Sequence, residues 1–286
     1  MRIQVLVDNI TDYSLFKSEW GLSILFEYGK KKVLLDFGQS SKFKNNAYHL
    51  DIDLSKLDYA CLSHAHYDHA NGMNHFMKIN KNAKVYMSRE AQDLCYRDAK
   101  TLGIKYKKYI GINKGYLKKY SDRIEYIDKK KELSKGIYLM PYDRDISLNF
   151  DSSMMTKHMY VRKYDSHNGI YKKEYIPDTF NHESTLVFDT SDGLVIANSC
   201  SHMGVINIIN DVKKAFPGKH IYAYVGGLHL FNASDDMIKK VGKTFLDEDI
   251  DYVITGHCTK EHAGKILSEM LKERMRFTES GYEIEI

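Results

Sequence analysis

The sequence predicts an α+β protein in which two layers of β-sheet lie face to face with helices outside. Three observations carry this prediction. The start of the chain is rich in short apolar runs of strand character, and the last third alternates such runs with amphipathic helices. The two parts also share a plan: a β-hairpin, then a strand–helix unit with histidine at the strand's C-terminal end.

The elements follow in order. "IQVLVD" reads as a first strand, and "LSILFEYGKKKVLLDFG" as a hairpin, two apolar runs around a Gly-Lys turn. "LDYACLSHA" is a buried strand running into a histidine cluster, and "ANGMNHFMKI" spaces Met73, Phe76 and Met77 as one face of a helix. "KVYMS" is a strand and "REAQDLCYRDAK" a helix. From about residue 101 to 181 the pattern is least regular: "IEYI" and "GIYLM" read as strands, and the polar, tyrosine-rich "NFDSSMMTKHMYVRKYDSHNGIYKKEYIPDTF" reads as an insertion or lid. Then "STLVFDTSDGLVIANS" is a hairpin turning at Ser-Asp-Gly, and "MGVINIINDVKKAF" an amphipathic helix closed by Pro-Gly. "HIYAYVGG" is a strand, "SDDMIKKVGKTFLDE" a helix opened by a Ser/Asp cap, "DYVIT" a strand, "KEHAGKILSEMLKERM" a helix and "YEIEI" a closing strand. The whole, residues 1–286, reads as a single domain.

Composition narrows the function classes. The chain has 286 residues, enough to bury a substantial core. No run approaches the roughly 18 apolar residues of a membrane span. "MRIQVLVDNI" has neither the h-region nor the cleavage site of an export signal, and four scattered cysteines do not form a disulfide framework. The expected location is a reducing cytoplasm. A net charge of +4 with no separate basic domain argues against nucleic acid as partner. Lysines interleaved with tyrosines between Lys100 and Lys135 read as solvated surface.

The chemistry is concentrated in "CLSHAHYDHANGM". Residues i and i+2 of an extended segment point the same way, so His64 and His66 can reach one cation. Asp68 and His69 follow where the chain must turn, and can face a second. Imidazole suits zinc, iron, nickel or copper, and carboxylate adds a hard oxygen donor. One loop supplies too few ligands, so others must come from distant strand ends. "LVIANSCSHMG" places His202 after an apolar strand, "DYVITGHCT" places His257, and "YAYVGGLHLF" offers His229 with two glycines that permit close backbone approach. The remaining histidines, His49, His75, His158, His167, His220 and His262, have no such context. Cys258, beside His257, reads as packing.

"SHAHYDHANG" resembles the H-x-H-x-D-H signature of the metallo-β-lactamase superfamily, and Asp36 in "VLLDFG" sits where that family carries a structural aspartate. "SCSHMGVINII", "GGLHL" and "TGHCT" are similar to motifs of one branch, metal-dependent hydrolases like the 7,8-dihydropterin-6-methyl-4-(β-D-ribofuranosyl)aminobenzene-5′-phosphate synthases. The resemblance runs from the first strand to "TGHCT", with a divergent middle. It implies an αββα sandwich, a four-layer fold, with a binuclear site at the edge between the sheets. It implies His64 and His66 as ligands of a first metal, Asp68, His69 and His257 of a second, and His202 on the first or between the two. It also implies Asp36 as a partner holding a ligand or its loop. One departure stands out. Where most members place a bridging aspartate, this chain has Cys200, whose thiolate is itself a candidate zinc ligand, with His202 just beyond as the preferred one. His182 and Glu183 in "NHES" are auxiliary candidates.

Two divalent ions, zinc first with iron or manganese as alternatives, would lower the pKa of a shared water and hydrolyse an ester, lactone or phosphoester-type small molecule. Asp68 would bind metal and orient the hydroxide, and His229 would donate a hydrogen bond to substrate at the rim. The expected partner is thus a small molecule, with a phosphorylated one among the candidates, and oligomeric state is left open. The rival readings are a synthase-like transferase at the same site, a nuclease, and a non-catalytic metal- or ligand-sensing module. The absence of an export signal argues against an antibiotic-degrading role.

Overall fold

The structure is a computed structural model that describes residues 1–142, 158–167 and 170–286. The first half contributes strands Arg2–Val7 (β1), Ser23–Tyr28 (β2), Lys31–Leu35 (β3), Tyr59–Cys61 (β4), Lys84–Ser88 (β5), Leu94–Thr101 (β6), Ile104–Tyr109 (β7) and Ile124–Ile127 (β8). Its helices are Lys42–His49 (α1), Tyr67–Ala70 (α2), Met73–Ile79 (α3) and Lys114–Lys119 (α4). The second half contributes Lys131–Ser134 (β9), Ile137–Pro141 (β10), Met159–His167 (β11), Ile170–Pro177 (β12), Ser184–Asp189 (β13), Leu194–Ala197 (β14), Ile221–Val225 (β15), Tyr252–Thr255 (β16), Met275–Phe277 (β17) and Glu283–Glu285 (β18). Its helices are Val205–Ala215 (α5), Asp235–Asp247 (α6) and Lys260–Leu271 (α7).

Among the described residues these strands form two seven-stranded sheets, β18-β1-β2-β3-β4-β5-β8 and β17-β16-β15-β14-β13-β10-β9, and a four-stranded sheet β12-β11-β6-β7. Period-two alternation explains the layering. Ile24, Phe26, Val33 and Leu35 face Leu186, Phe188, Val195 and Val225 across the gap between the large sheets. Their neighbours Leu25 and Leu34 point the other way, onto Phe43, Met73 and Phe76 of α1 and α3. On the far side Val187, Ile196 and Tyr224 receive α5, α6 and α7 through Ile208, Ile238, Phe245 and Leu267. Strands buried on both faces sit between two helical layers, which is the expected αββα sandwich.

Each large sheet has a parallel region, β3-β4-β5-β8 and β14-β15-β16-β17. Parallel neighbours send their C-terminal ends the same way. The loops after β4, β14, β15 and β16, which carry the predicted site residues, therefore emerge at one edge. The Ser184 amide donates to the Ser63 carbonyl at 2.6 Å and ties the two sheets there.

The expected helix over "REAQDLCYRDAK" is corrected. Arg89–Gln92 is one turn of 3-10 helix, and Leu94–Thr101 is strand β6. Pairing with β7 and β11 overrides a helix-forming composition. Of the expected insertion, 143–157 and 168–169 lie outside the described residues, and its described part is mostly strand. No helix among the described residues is long and apolar enough to cross a membrane.

Candidate metal centre

The site is built from the ends of strands in both large sheets. After β4 the chain runs extended through Ser63 to His66 before α2 opens, so His64 and His66 project to one side and Asp68 and His69 lie on the first turn. His202 follows β14, His229 follows β15 and His257 follows β16. The ring of His202 lies 4.8 Å from that of His64 and 4.7 Å from that of His66, centroid to centroid. The donor nitrogens of these three rings fall within 4.8 Å of one another. A second cluster is centred on His69, whose Nε2 is 3.1 Å from His257 Nε2, 3.3 Å from Cys200 Sγ and 3.7 Å from Asp68 Oδ2. All of these groups are buried. His229, half-buried, packs its ring 4.1 Å from His202. Every residue of the predicted set thus converges on one place.

Hydrogen bonds behind the rings fix their tautomers. Asp36 is fully buried and accepts from the Ser63 amide at 2.7 Å, the Ser63 hydroxyl at 2.6 Å and His69 Nδ1 at 2.7 Å. Since the Ser63 proton goes to Asp36, the Ser63 oxygen accepts from His64 Nδ1 at 2.7 Å. On the other side, Asn9 Oδ1 accepts from the Gly21 amide at 3.2 Å, which identifies it as the oxygen, so His257 Nδ1 donates to it at 3.0 Å. In His64, His69 and His257 the Nε2 lone pair is left facing inward. Such anchoring of the outer nitrogen is what orients histidine ligands in metal sites.

The charges agree. Burial, reinforced by neighbouring imidazoles, holds His64, His66, His202 and His257 well below the usual imidazole range, so these rings are neutral. Burial opposes a proton on His69 as well, but Asp68 and Asp36 beside it outweigh that and raise its pKa. Burial pushes the Asp68 carboxyl up.

Fit to a cation can be judged from the protein's own unmet needs. His64 Nε2, His66 Nε2 and both ring nitrogens of His202 are buried with no hydrogen-bond partner among the described residues. Each buried polar atom left unsatisfied costs about 1–3 kcal/mol. A divalent ion is the partner that neutral imidazoles accept, and the donor set of imidazole, carboxylate and thiolate suits a transition metal. The described residues therefore fit metal at both clusters.

The two auxiliary candidates make protein contacts, and His182 also falls with His66, Cys95 and Asp178 in a buried group whose donor atoms lie within 4.8 Å of one another. Glu183 accepts from the amides of His202 at 2.9 Å and Met203 at 2.8 Å, and so holds the His202 loop; burial pushes its carboxyl up to about 7. His182 accepts the Ala65 amide on Nδ1 at 3.2 Å, so its proton sits on Nε2 and goes to Asp178 at 3.2 Å. It clamps the peptide between the two histidines of the signature.

Several participants were not singled out from sequence. Phe180 stacks on His202 at 4.5 Å with planes 7° apart. Trp20 is 5.2 Å from His257 and 41% exposed, and Lys260 holds its ammonium 4.4 Å from the Trp20 ring. Lys260 has φ 61° and ψ 167°, a backbone region occupied almost only by glycine. That local signal is invisible in a residue name. The paired glycines after β15 do permit close approach, though to protein: a Cβ on Gly226 would meet the Asn198 carbonyl oxygen at 2.0 Å, and one on Gly227 the Cys258 sulfur at 2.5 Å.

Comparison with known proteins agrees with this geometry. The family model described as "Metallo-beta-lactamase superfamily" matches residues 21–146. The chain is similar to a solved structure, Tm1679, described as a metal-dependent hydrolase of the β-lactamase superfamily, with 30% identity, TM-score 0.81, and coverage of 100% of this chain and 99% of that one. It is 29% identical to an uncharacterized protein of Methanocaldococcus jannaschii, with 94% of each chain covered. It is 27% identical to the 7,8-dihydropterin-6-methyl-4-(β-D-ribofuranosyl)-aminobenzene-5′-phosphate synthase of the same organism, with 93% of each covered.

Proposed function

We propose, since the chain belongs to the metallo-β-lactamase superfamily, that it is a binuclear metal-dependent hydrolase acting on an ester, lactone or phosphoester-type small molecule. His64, His66 and His202 would hold the first ion, and His69 and His257 the second, with Asp68 at its edge. Two divalent ions, zinc by first choice and iron or manganese as alternatives, supply Lewis acidity and bring the pKa of water down to about 7. The chain's own residues do the rest. The Asp68 carboxylate accepts the proton of the attacking water. His229, with Nδ1 buried and unpartnered among the described residues, donates to the substrate oxygen. Phe180 and Trp20 pack against His202 and His257 and limit solvent. Lys260, exposed beside Trp20, provides a cation for an anionic group, which favours a phosphorylated or carboxylated substrate.

The observation that carries the reading is the set of inward, unpartnered imidazole nitrogens drawn from strand ends far apart in sequence. The test is elemental analysis of the purified chain and of His66→Ala and His257→Ala. Two ions in the parent and a reduced content in both variants are expected. Equal metal content in all three overturns the assignment.

Similarity to the synthase over 93% of both chains favours a second reading, transfer between a pterin-bearing and a phosphorylated ribosyl substrate. Assay of that condensation against hydrolysis of lactone and phosphoester substrates separates the two. The four cysteines are free and buried, in keeping with a reducing cytoplasm as the proposed setting.

A further inference from the structure

The lysine- and tyrosine-rich stretch that reads as solvated surface in the sequence folds against the histidine loop. The Tyr67 amide donates to the Ile110 carbonyl at 2.8 Å, and His66 pairs with Gly111 as an isolated bridge. Beside this junction lies a recess of about 560 Å³, lined by Gln39, Tyr67, Asn71, Lys108 and Lys114 with Tyr109. We propose that this recess binds a phosphate monoester group of a small-molecule substrate whose reacting bond lies at the adjoining centre. This rests on the reading that the centre acts on a small molecule.

The charges point to an anion. Lys108 and Lys114 line this recess and no carboxylate does. By contrast, Asp51 and Asp53 line the recess beside α1, and Glu90, Asp128 and Asp211 the one beside β10. In the β6–β7 hairpin, Lys107 lies opposite Asp98 and donates to its carboxylate at 2.7 Å, but the next pair, Arg97 opposite Lys108, is two cations. Directly paired residues share one face of a sheet, and like charges there repel. Neither Arg97 nor Lys108 meets a carboxylate among the described residues, and the Lys114 ammonium rests 4.8 Å from the centre of the Tyr109 ring. An anion among these side chains removes the repulsion.

Neutral donors complete the recess. Asn71 Oδ1 accepts from the Asn113 amide at 3.1 Å, which leaves the Asn71 NH2 group for a ligand. The Gln39 side chain and the Tyr67 hydroxyl make no hydrogen bond among the described residues. A monoester carries about −1.5 to −2 charges at neutral pH, more than a carboxylate or a phosphodiester, so a cluster of cations favours it. The volume is that of a small-molecule pocket. Tyr67 stands between His66 and Asp68 in the chain, so a molecule anchored there reaches the candidate metal ligands with its other end.

The test is isothermal titration of the full chain with phenylphosphonate, a monoester analogue that resists hydrolysis, at fixed ionic strength. Saturable binding is expected, weakened about tenfold in Lys108→Met and in Lys114→Met, since each removes one charge-assisted hydrogen bond. Both lysines are exposed, so neither change disturbs the core. Binding should be unchanged in Lys260→Met and with chelator present. No saturable binding, dependence on Lys260 in place of Lys108 and Lys114, loss with chelator, or equal binding of phenylacetate would each overturn the proposal while leaving the metal-dependent reading in place. Tighter binding of a single-stranded oligonucleotide would also overturn it and mark a nucleic-acid surface. Lysine-dependent binding in a chain that elemental analysis finds without metal would remove the hydrolase reading and leave the recess as a ligand site.

Discussion

His69 Nε2 and His257 Nε2 face each other at 3.1 Å while Asp36 and Asn9 hold the protons on their other nitrogens. Two lone pairs cannot remain in that contact. Either a proton sits between them, as the raised pKa of His69 allows, or a cation does.

The apo protein should accordingly gain much stability from metal. At a free ion concentration of a thousand times Kd the gain is about 4 kcal/mol, which for a chain of this size is about 10 °C in Tm. Differential scanning fluorimetry with and without chelator measures it, and His257→Ala should respond clearly less. An equal shift in that variant would place the ion elsewhere.

Asp36→Asn should weaken metal binding by about 10–100-fold, because one carboxylate fixes both His69 and, through Ser63, His64. An amide cannot accept all three donors. Competition with a chromophoric chelator gives the affinity, and Asp36→Asn with parental affinity would show that this relay does not matter.

Imidazole protonation offers a separate check in the metal-free chain. His64, His66 and His202 have depressed pKa values, so their neutral form persists as pH falls through about 6.5, the ordinary imidazole value. His69 is shifted the other way and should still be protonated above that pH. Long-range proton–nitrogen NMR over a pH series reads each ring, and titration of all of them together near 6.5 is the contrary result.

Lys260→Gly should stabilise the fold by about 1–3 kcal/mol, since glycine adopts the backbone conformation that lysine occupies under strain. If the ammonium binds an anionic substrate group, KM should rise at the same time with kcat little changed. Denaturant melts and steady-state kinetics measure the two effects. A destabilised variant would mean that contacts of the lysine side chain outweigh the strain.

Phe180→Ala should cost about 3–5 kcal/mol, because the ring is fully buried and stacked on His202. Urea melts of the apo protein give the number, and a cost near zero would mean that the His202 loop is held by Glu183 alone.

Much of this was legible in the residues. The strands of the large sheets announce themselves because both faces are apolar, and each candidate ligand histidine follows such a run, where a strand must end. The four-stranded sheet was hidden. In β7, "IKYKKY" is exposed or half-exposed throughout, so burial imposed no apolar alternation on it. Helix α1 was missed because its two asparagines disfavour helix, although Asn46 is buried and donates to the carbonyls of Leu6 and Lys17. Asn9, Ser63 and Trp20 carry no signal of their own, since their part depends on which ring the fold brings to them.

The two ends of the chain pair as neighbouring strands, β1 and β18, and β1 leads into this centre through Asp8. The Ile286 amide donates to the Met1 carbonyl at 2.9 Å, and Thr278 and Ser280 hold Asp8, which in turn accepts the His257 amide at 3.1 Å. A circular permutant that joins residue 286 to residue 1 and opens the surface turn at Gly103 would keep this arrangement intact, whereas trimming the last strand would be felt at His257.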